Sequence, residues 1–278
     1  VLLDIAYFFG LLVFSPIWLY RMLRHGRYRA DWSQRMGKTP TCYGIQPTVW
    51  IHGVSLGEIN AARGLVEELH VQLPDFRVVV SSTTATGMAA AKKHFAPGHK
   101  VFRWPLDFTW AVARALDRVQ PTIVVLMEGE FWPNFLAACH KRNIPVVVVN
   151  GRMSPNKGYP RYKKLGGLAA MLFNGVNAIG VQDEAYAERF IELGTNPDKV
   201  HLTGMMKFDS VEVADSLPGQ EELQTALGLS SDEPLLVAGG TGPGEETMLL
   251  NAYTKLKETH PTLRLAIVPR KPERFEEV

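Results

Sequence analysis

Three carboxylates and one amine in this chain each follow an apolar run that ends in a turn, the arrangement that places charged groups at the edge of a sheet. The first is Glu58. In Trp50-Ile-His-Gly-Val-Ser-Leu-Gly-Glu58 an apolar strand enters a tight turn, and the carboxylate stands where a helix begins. Gly53 and Gly57 permit turn geometry that a Cβ would hinder. A Glu at this place is either a helix N-terminal charge, favoured by the macrodipole, or a general base that removes a proton from a nucleophile. The second signal is Thr122-Ile-Val-Val-Leu-Met-Glu-Gly-Glu-Phe-Trp-Pro133, in which a fully apolar strand delivers Glu128 and Glu130 at its carboxyl end. Carboxylates there are partly desolvated. They either bond to nearby helix amides or line one cleft with Glu58. Lys207, in Gly204-Met-Met-Lys-Phe-Asp209, is either a solvated surface lysine or an amine able to hold a phosphate or carboxylate.

Strands alternating with helices must position these groups. Thr48–Ile51, Arg77–Ser81, Thr122–Met127, Val146–Asn150, Ala178–Val181 and Val200–Leu202 read as strands. Between them lie helical patterns from Ile59 onward and over Met88–His94, Trp110–Val119, Phe135–Arg142 and Glu184–Leu193. Asp183 is the expected N-cap of the last, and Gly194 its stop. This alternation predicts one parallel sheet covered on both faces, an α/β domain over residues 38–207. Residues 208–233 are acidic and polar and read as a linker or hinge with at most one helix, Glu221–Leu227.

A second domain begins in the segment 234–278. A strand from Leu235 leads into Gly239-Gly-Thr-Gly-Pro-Gly-Glu-Glu246, then a helix to about Glu258 and a strand over Leu263–Val268. Two strands and one helix cannot bury both faces of a parallel sheet, so this domain is expected to be partial, and the start before Val1 to be missing. The glycine spacing is not GxGxxG, and no Lys-Ser/Thr follows for a P-loop. A helix N-terminus remains, whose amides can bind an anion. Arg270, Lys271 and Arg274 lie just past a strand end, as nucleotide-phosphate contacts do, or form an ordinary basic turn.

The 278 residues are 46% apolar, enough for a large core and two domains. A net charge of +2 gives no global electrostatic case for nucleic acid. Cys42 and Cys139 cannot make a disulfide framework, and the histidines lack HxxxH or HExxH spacing, so no metal site is expected. Val1 to Tyr20 is almost wholly apolar, with Asp4 its only charge and Trp18 and Tyr20 closing it. Arg21, Arg24, Arg27, Arg29, Arg35 and Lys38 come next, against Asp31 alone. Residues 1–30 therefore read as a membrane anchor and its basic flank, spanning or embedded in one leaflet, with the downstream domains in the cytoplasm. The alternative is a buried core helix. Arg152 to Lys164 carries Arg152, Lys157, Arg161, Lys163 and Lys164 and no acid, with Tyr159 and Tyr162 interleaved: a footprint for an anionic ligand or lipid headgroup, or a solvated loop.

Taken together, these segments resemble the bacterial 3-deoxy-D-manno-octulosonic acid (Kdo) transferases of lipopolysaccharide synthesis. The resemblance rests on the anchor with its basic flank, His52-Gly-Val-Ser-Leu-Gly-Glu58, Met127-Glu-Gly-Glu-Phe-Trp-Pro133 and Asn150-Gly-Arg-Met-Ser154. It continues through Gly204-Met-Met-Lys-Phe-Asp209, Thr241-Gly-Pro-Gly-Glu-Glu246 and Pro269-Arg-Lys-Pro-Glu-Arg-Phe275. It implies an α/β GT-B fold of two Rossmann-like domains, the N-terminal one complete and binding acceptor, the C-terminal one partial and binding CMP-Kdo. It implies a glycosyltransferase that moves Kdo from CMP-Kdo to a lipid A precursor, lipid IVA, at the cytoplasmic face of the inner membrane, without a cofactor. The family's proton acceptor falls on Glu58, its supporting catalytic residues on Glu128 and Lys207, and its first CMP contacts on Pro269 and Arg270. Lys271 stands where the family commonly has His, and the downstream segments that complete the CMP pocket do not occur in this chain. Two other classes share the architecture: a sugar-nucleotide epimerase, which needs no anchor, and an inactive membrane-tethered fragment that holds acceptor only. An NAD-dependent oxidoreductase is disfavoured, because the first strand–helix turn lacks GxGxxG.

Overall fold

The computed structural model describes residues 2–25, 30–208, 218–230 and 232–278. The chain divides into two compact units, Val1–Val211 and Glu212–Val278. In the first unit seven parallel strands form one sheet: β1 (Thr48–His52), β2 (Arg77–Ser82), β3 (Lys100–Arg103), β4 (Ile123–Met127), β5 (Val146–Gly151), β6 (Ala178–Val181) and β7 (Val200–Leu202). Their spatial order is β3-β2-β1-β4-β5-β6-β7. The order reverses between β1 and β4, and such switch points open a crevice at the carboxyl ends of the strands. Glu58 follows β1 and Glu128 follows β4, so the two motifs flank that crevice.

The helices, in chain order, are α1 (Leu2–His25), α2 (Trp32–Arg35), α3 (Leu56–Gln72), α4 (Ala85–Phe95), α5 (Thr109–Val119) and α6 (Pro133–Lys141). They continue with α7 (Gly158–Lys163), α8 (Gly167–Asn174) and α9 (Glu184–Glu192). Strand periodicity sorts the core into two layers. Val49 and Ile51 of β1 point into one, with Ile59, Ala61, Ala62 and Val66 of α3 and Ala90, Ala91 and Phe95 of α4. Trp50 points into the other, where α5, α6, α8 and α9 contribute Val112, Leu116, Phe135, Phe173 and Phe190. The Trp50 ring lies 5.3 Å from Phe102 and 5.2 Å from Trp104, and its indole N–H donates to Ser81 Oγ at 2.8 Å. Every residue of β1 is buried, as a central parallel strand requires. His52 is enclosed with it, stacked on Trp104 at 3.8 Å, and burial pushes its imidazole down to about 3. It is neutral at neutral pH.

The apolar N-terminus is one continuous helix, α1, carried through Pro16. Pro16 lacks the N–H that would reach the Leu12 carbonyl, and the Ser15 hydroxyl donates to that carbonyl instead, at 2.8 Å. Asp4 accepts from Thr109 N at 2.9 Å, from the Thr109 hydroxyl and from Asn134 Nδ2 at 3.0 Å, while the Tyr7 hydroxyl donates to Asp107 at 2.9 Å. The helix is thus fastened to the domain near its start. Phe8, Phe9, Leu12, Val13, Phe14 and Ile17 remain exposed. Among the described residues no helix is long and apolar enough to cross a membrane.

In the second unit α10 (Gln220–Ala226) precedes β8 (Leu235–Thr241), α11 (Glu245–Thr259) and β9 (Arg264–Pro269), and β8 pairs with β9 in parallel. Leu235, Leu236, Val237 and Val268 of this sheet are exposed. Part of the expected hinge, 209–217 and 231, lies outside the described residues.

Candidate active site

The cavity at the switch point is built from the first unit alone. After β1 the chain turns through Gly53, Val54 and Ser55, and α3 starts at Leu56. Ser55 is the N-cap: its hydroxyl oxygen accepts the Glu58 N–H at 3.3 Å, and the Glu58 carboxylate reaches back to Ser55 N at 3.2 Å. This is a capping box. Glu58 Oε1 also accepts the Ser55 hydroxyl at 2.7 Å, and Oε2 accepts Val54 N at 2.7 Å. A carboxylate offers about four acceptor positions. Three are taken, and a lone pair on Oε2 is left. Glu58 is therefore a helix-capping charge, and the capping bonds leave it able to accept a further proton donor. A Cβ on Gly53 would sit 3.1 Å from Ile59 Cδ1 and 3.2 Å from Glu58 Cβ, so glycine lets the helix start close under the strand end.

The turn is also held from the side of β2. The Val54 carbonyl accepts the Thr84 hydroxyl at 2.6 Å, the Ser82 hydroxyl at 3.1 Å and Thr84 N at 3.2 Å. Thr84 caps α4 at the same time, through Gly87 N at 3.1 Å. A Cβ on Gly87 would come within 2.8 Å of the Val54 carbonyl oxygen.

At the end of β4, Glu128 adopts φ 62°, and at the end of neighbouring β5 Asn150 adopts φ 56°. Left-handed backbone at a non-glycine residue costs about 1–3 kcal/mol, and it persists where neighbours impose it. Here Glu128 N donates to the Val149 carbonyl at 2.9 Å, and the Glu128 carbonyl accepts Arg152 N at 3.1 Å. Asn150 is fully buried, and its Oδ1 accepts Met206 N at 3.2 Å, which fixes the short 3₁₀ turn Met206–Phe208 that carries Lys207.

Glu58, Glu128 and Glu130 line one cavity of about 580 Å³, together with Arg152, Lys157, Arg161, Tyr162 and Tyr186. Burial raises the Glu128 carboxyl, the Glu58 charge raises it further, and Lys207 and Arg152 pull it back. Glu130 is pushed up to about 7, first by burial and then by Glu58, against the pull of Arg161. The site thus sets a carboxylate engaged by three donors beside a carboxyl that titrates near neutrality. Among the described residues no cluster of His, Cys, Asp or Glu is placed to hold a metal ion.

Pro269 and Arg270 lie in the second unit, at the end of β9. Arg270 N donates to the Thr241 carbonyl at 3.0 Å, and its side chain is exposed. Arg274 is not a free phosphate ligand: it clamps Glu246 with two bonds, at 2.8 and 3.1 Å, and holds that carboxyl well below the usual range. The glycine loop spends an amide internally too, since Gly242 N donates to Glu245 at 2.7 Å. The basic run after β5 is no plain loop. It folds into α7 and turns Arg152, Lys157 and Arg161 to the cavity. Asn150 and Val54, which fix Lys207 and Glu58 in place, carried no expectation of their own. Only the Asn-Gly pair closing β5 hints at a left-handed residue.

A family profile described as 3-deoxy-D-manno-octulosonic-acid transferase (kdotransferase) matches residues 30–210. The chain belongs to the Kdo transferase family. It is 32% identical to the 3-deoxy-D-manno-octulosonic acid transferase of Haemophilus influenzae over 91% of this chain and 58% of that protein. The transferase of Chlamydia pneumoniae is 31% identical over 99% of this chain and 63% of its own length. This member of the Kdo transferase family therefore spans roughly three fifths of the length of such relatives. Among solved structures it is similar to a UDP-N-acetylglucosamine 2-epimerase, marked putative, from Listeria monocytogenes, with TM-score 0.58, 14% identity and coverage of 84% and 65% of the two chains. The enzyme of that kind from Neisseria meningitidis gives TM-score 0.57 at 13% identity, covering 79% and 64%. At such identities the likeness shows the GT-B type of α/β fold and nothing of the chemistry.

Proposed function

We propose that the protein to which this chain belongs transfers Kdo from CMP-Kdo to a sugar hydroxyl of a lipid A precursor, lipid IVA, in lipopolysaccharide biosynthesis. The observation that carries this reading is Glu58: a carboxylate at the sheet's switch point, oriented by three donors, with one acceptor position left. The cavity it lines receives the acceptor sugar. A sugar hydroxyl is a poor nucleophile. Glu58 takes its proton as the new bond to the anomeric carbon forms and the bond from that carbon to the CMP phosphate oxygen breaks. CMP leaves as a phosphate monoester. Glu128, drawn electrostatically to Lys207, orients the hydroxyl, and Lys207 offers a cation to the developing negative charge. Pro269 and Arg270 in the second unit are CMP contacts. Membership of the Kdo transferase family supports the same assignment. The exposed apolar face of α1 supports attachment to one leaflet at the cytoplasmic face of the inner membrane, where such an acceptor resides.

The test is incubation of the full-length protein in detergent with CMP-Kdo and lipid IVA, read by mass spectrometry. A mass gain of one or more Kdo units is expected. No gain, with folded protein and intact donor, removes the reading.

A further inference from the structure

A second cavity, of about 420 Å³, lies between α1 and the rest of the first unit. Gly10, Leu11 and Phe14 line it from the helix, and Leu106, Phe108 and Trp132 from the domain. A helix packed closely on its own domain would fill this space. The hydrogen bonds of Asp4 and Tyr7 fasten the start of α1, and the groove opens beside the turns that follow. Gly10 keeps it clear: a Cβ there would meet nothing within 4 Å. Phe14 is exposed, so the groove is open on that flank.

Two loops serve both this groove and the catalytic cavity. The loop after β4 gives Glu128 and Glu130 to the cavity and Trp132 to the groove. The loop after β2 gives Thr83 to the groove, while the next residue, Thr84, holds the Val54 carbonyl behind Glu58. The Thr83 hydroxyl oxygen is buried and has no hydrogen-bond partner among the described residues. Such a group is costly, and an acceptor atom brought by a ligand would satisfy it.

We propose that this groove holds one fatty acyl chain of the glycolipid acceptor whose sugar reaches Glu58. The lining is mainly aliphatic and aromatic, as a hydrocarbon chain requires. At ~30 Å³ for a water-sized group, the space suits one chain of about a dozen methylenes rather than several. The carbonyl that heads the chain accepts the Thr83 hydroxyl. Tail and sugar then lie on either side of the same two loops, so a seated chain delivers the sugar beside the base. Phe8, Phe9 and Val13, which do not line the groove, are left for the bilayer. This inference rests on the acceptor-binding role proposed for the catalytic cavity.

The test uses the full-length protein in digitonin, a detergent without a linear alkyl chain. The acceptors are lipid IVA and its fully deacylated sugar. The groove probe is parinaric acid, a polyene fatty acid that takes up excitation from nearby indoles, and Trp32 and Trp132 both line the groove. In the wild type, energy transfer to the probe is expected, displaced by lipid IVA and not by the deacylated sugar. The KM for the deacylated sugar should be at least 10-fold the KM for lipid IVA. Gly10→Phe fills the groove without altering Asp4, Tyr7 or the outer face of α1. It is expected to abolish the probe signal and raise the KM for lipid IVA at least 10-fold. The KM values for the deacylated sugar and for CMP-Kdo should change less than twofold. A folded variant with an unchanged KM for lipid IVA overturns the proposal. So does lost co-sedimentation with phosphatidylglycerol vesicles at an unchanged KM, which assigns the groove to bilayer lipid. Should Gly10→Phe fail to fold by circular dichroism, Ala6→Leu, at an exposed position lining the same groove, reads the same signal and KM. Displacement of the probe by lipid IVA without any transfer removes the transferase reading and leaves the groove. Normal transfer without displacement does the reverse.

Discussion

Val54 and Glu58 are joined through a single amide, at 2.7 Å, and the carbonyl of the same Val54 is gripped by Ser82 and Thr84. The proposed base is therefore positioned by the loop after a different strand. Gly87→Ala pushes a methyl against the Val54 carbonyl oxygen at 2.8 Å and against the Ser82 and Thr84 hydroxyls that hold that carbonyl. The expected outcome is a fall in kcat of about 10-fold or more, since small misplacements of a reacting group are costly, with a folded protein by circular dichroism. Wild-type kcat in a folded variant removes the loop of Thr84 as a positioning element.

Glu58→Gln keeps one oxygen, which can accept from Ser55 as the second half of the capping box but no longer also from Val54 N, and removes the proposed base. Transfer should fall by roughly 10²–10⁴-fold, with melting within a few degrees of the wild type. Glu58→Ala loses the capping box as well, and should cost about 1 kcal/mol of stability in addition. Near wild-type turnover of the Gln variant eliminates Glu58 as the base.

Glu130 sets a pH dependence of stability. Its carboxyl rises from an ordinary 4.5 to about 7 in the folded protein, chiefly through burial. Below about pH 4.5 folded and unfolded chains both hold the proton. Between there and about 7 only the folded chain does, so stability falls as pH rises through that window, by at most ~3 kcal/mol. Glu130→Gln should melt higher than the wild type at pH 8 and equally at pH 4. A constant difference at both pH values contradicts the assignment.

The alternation of strand and helix is legible because β1, β4 and β5 are unbroken apolar runs, which only strands buried on both faces need. Edge strand β3, Lys-Val-Phe-Arg, has no such run and escapes notice. In α7, Gly-Tyr-Pro-Arg-Tyr-Lys resembles a turn, yet Pro160 falls in the first helical turn, where a missing N–H costs nothing. Likewise α3 and α6 begin at Leu56 and Pro133, ahead of the first apolar repeat that marks them. At the site, residue types reveal Glu58, Glu128 and Glu130, because carboxylates after apolar strands are unusual. Val54 stays hidden, because it acts through its peptide group. The three cavity cations are visible only as a basic run, since nothing in their spacing says which of them share a cavity.

In the second unit Arg270 and Arg274 should separate cleanly. Arg270→Ala is expected to raise the KM for CMP-Kdo several-fold with little change in melting. Arg274→Ala strips Glu246 of its clamp and should lower the melting temperature instead. Equal donor KM for the Arg270 variant and the wild type argues against the CMP contact.

For α1, replacing Phe8, Phe9 and Val13 with Ser removes exposed apolar surface without touching Asp4 or Tyr7. Co-sedimentation with anionic vesicles should drop several-fold while the fold persists. Unchanged sedimentation means that this face does not carry the attachment.

The capping role of Glu58, joined to the base role proposed for it, constrains how such a protein drifts. A lineage that discards the base by mutation to most residues also loosens the start of a central helix, so inactivation and fragility arrive together. Gln eases this coupling, because its one amide oxygen still accepts from Ser55 and keeps the capping box. A durable, catalytically silent descendant is therefore expected to carry Gln at position 58, and a descendant with Ala there to need a compensating stabiliser elsewhere.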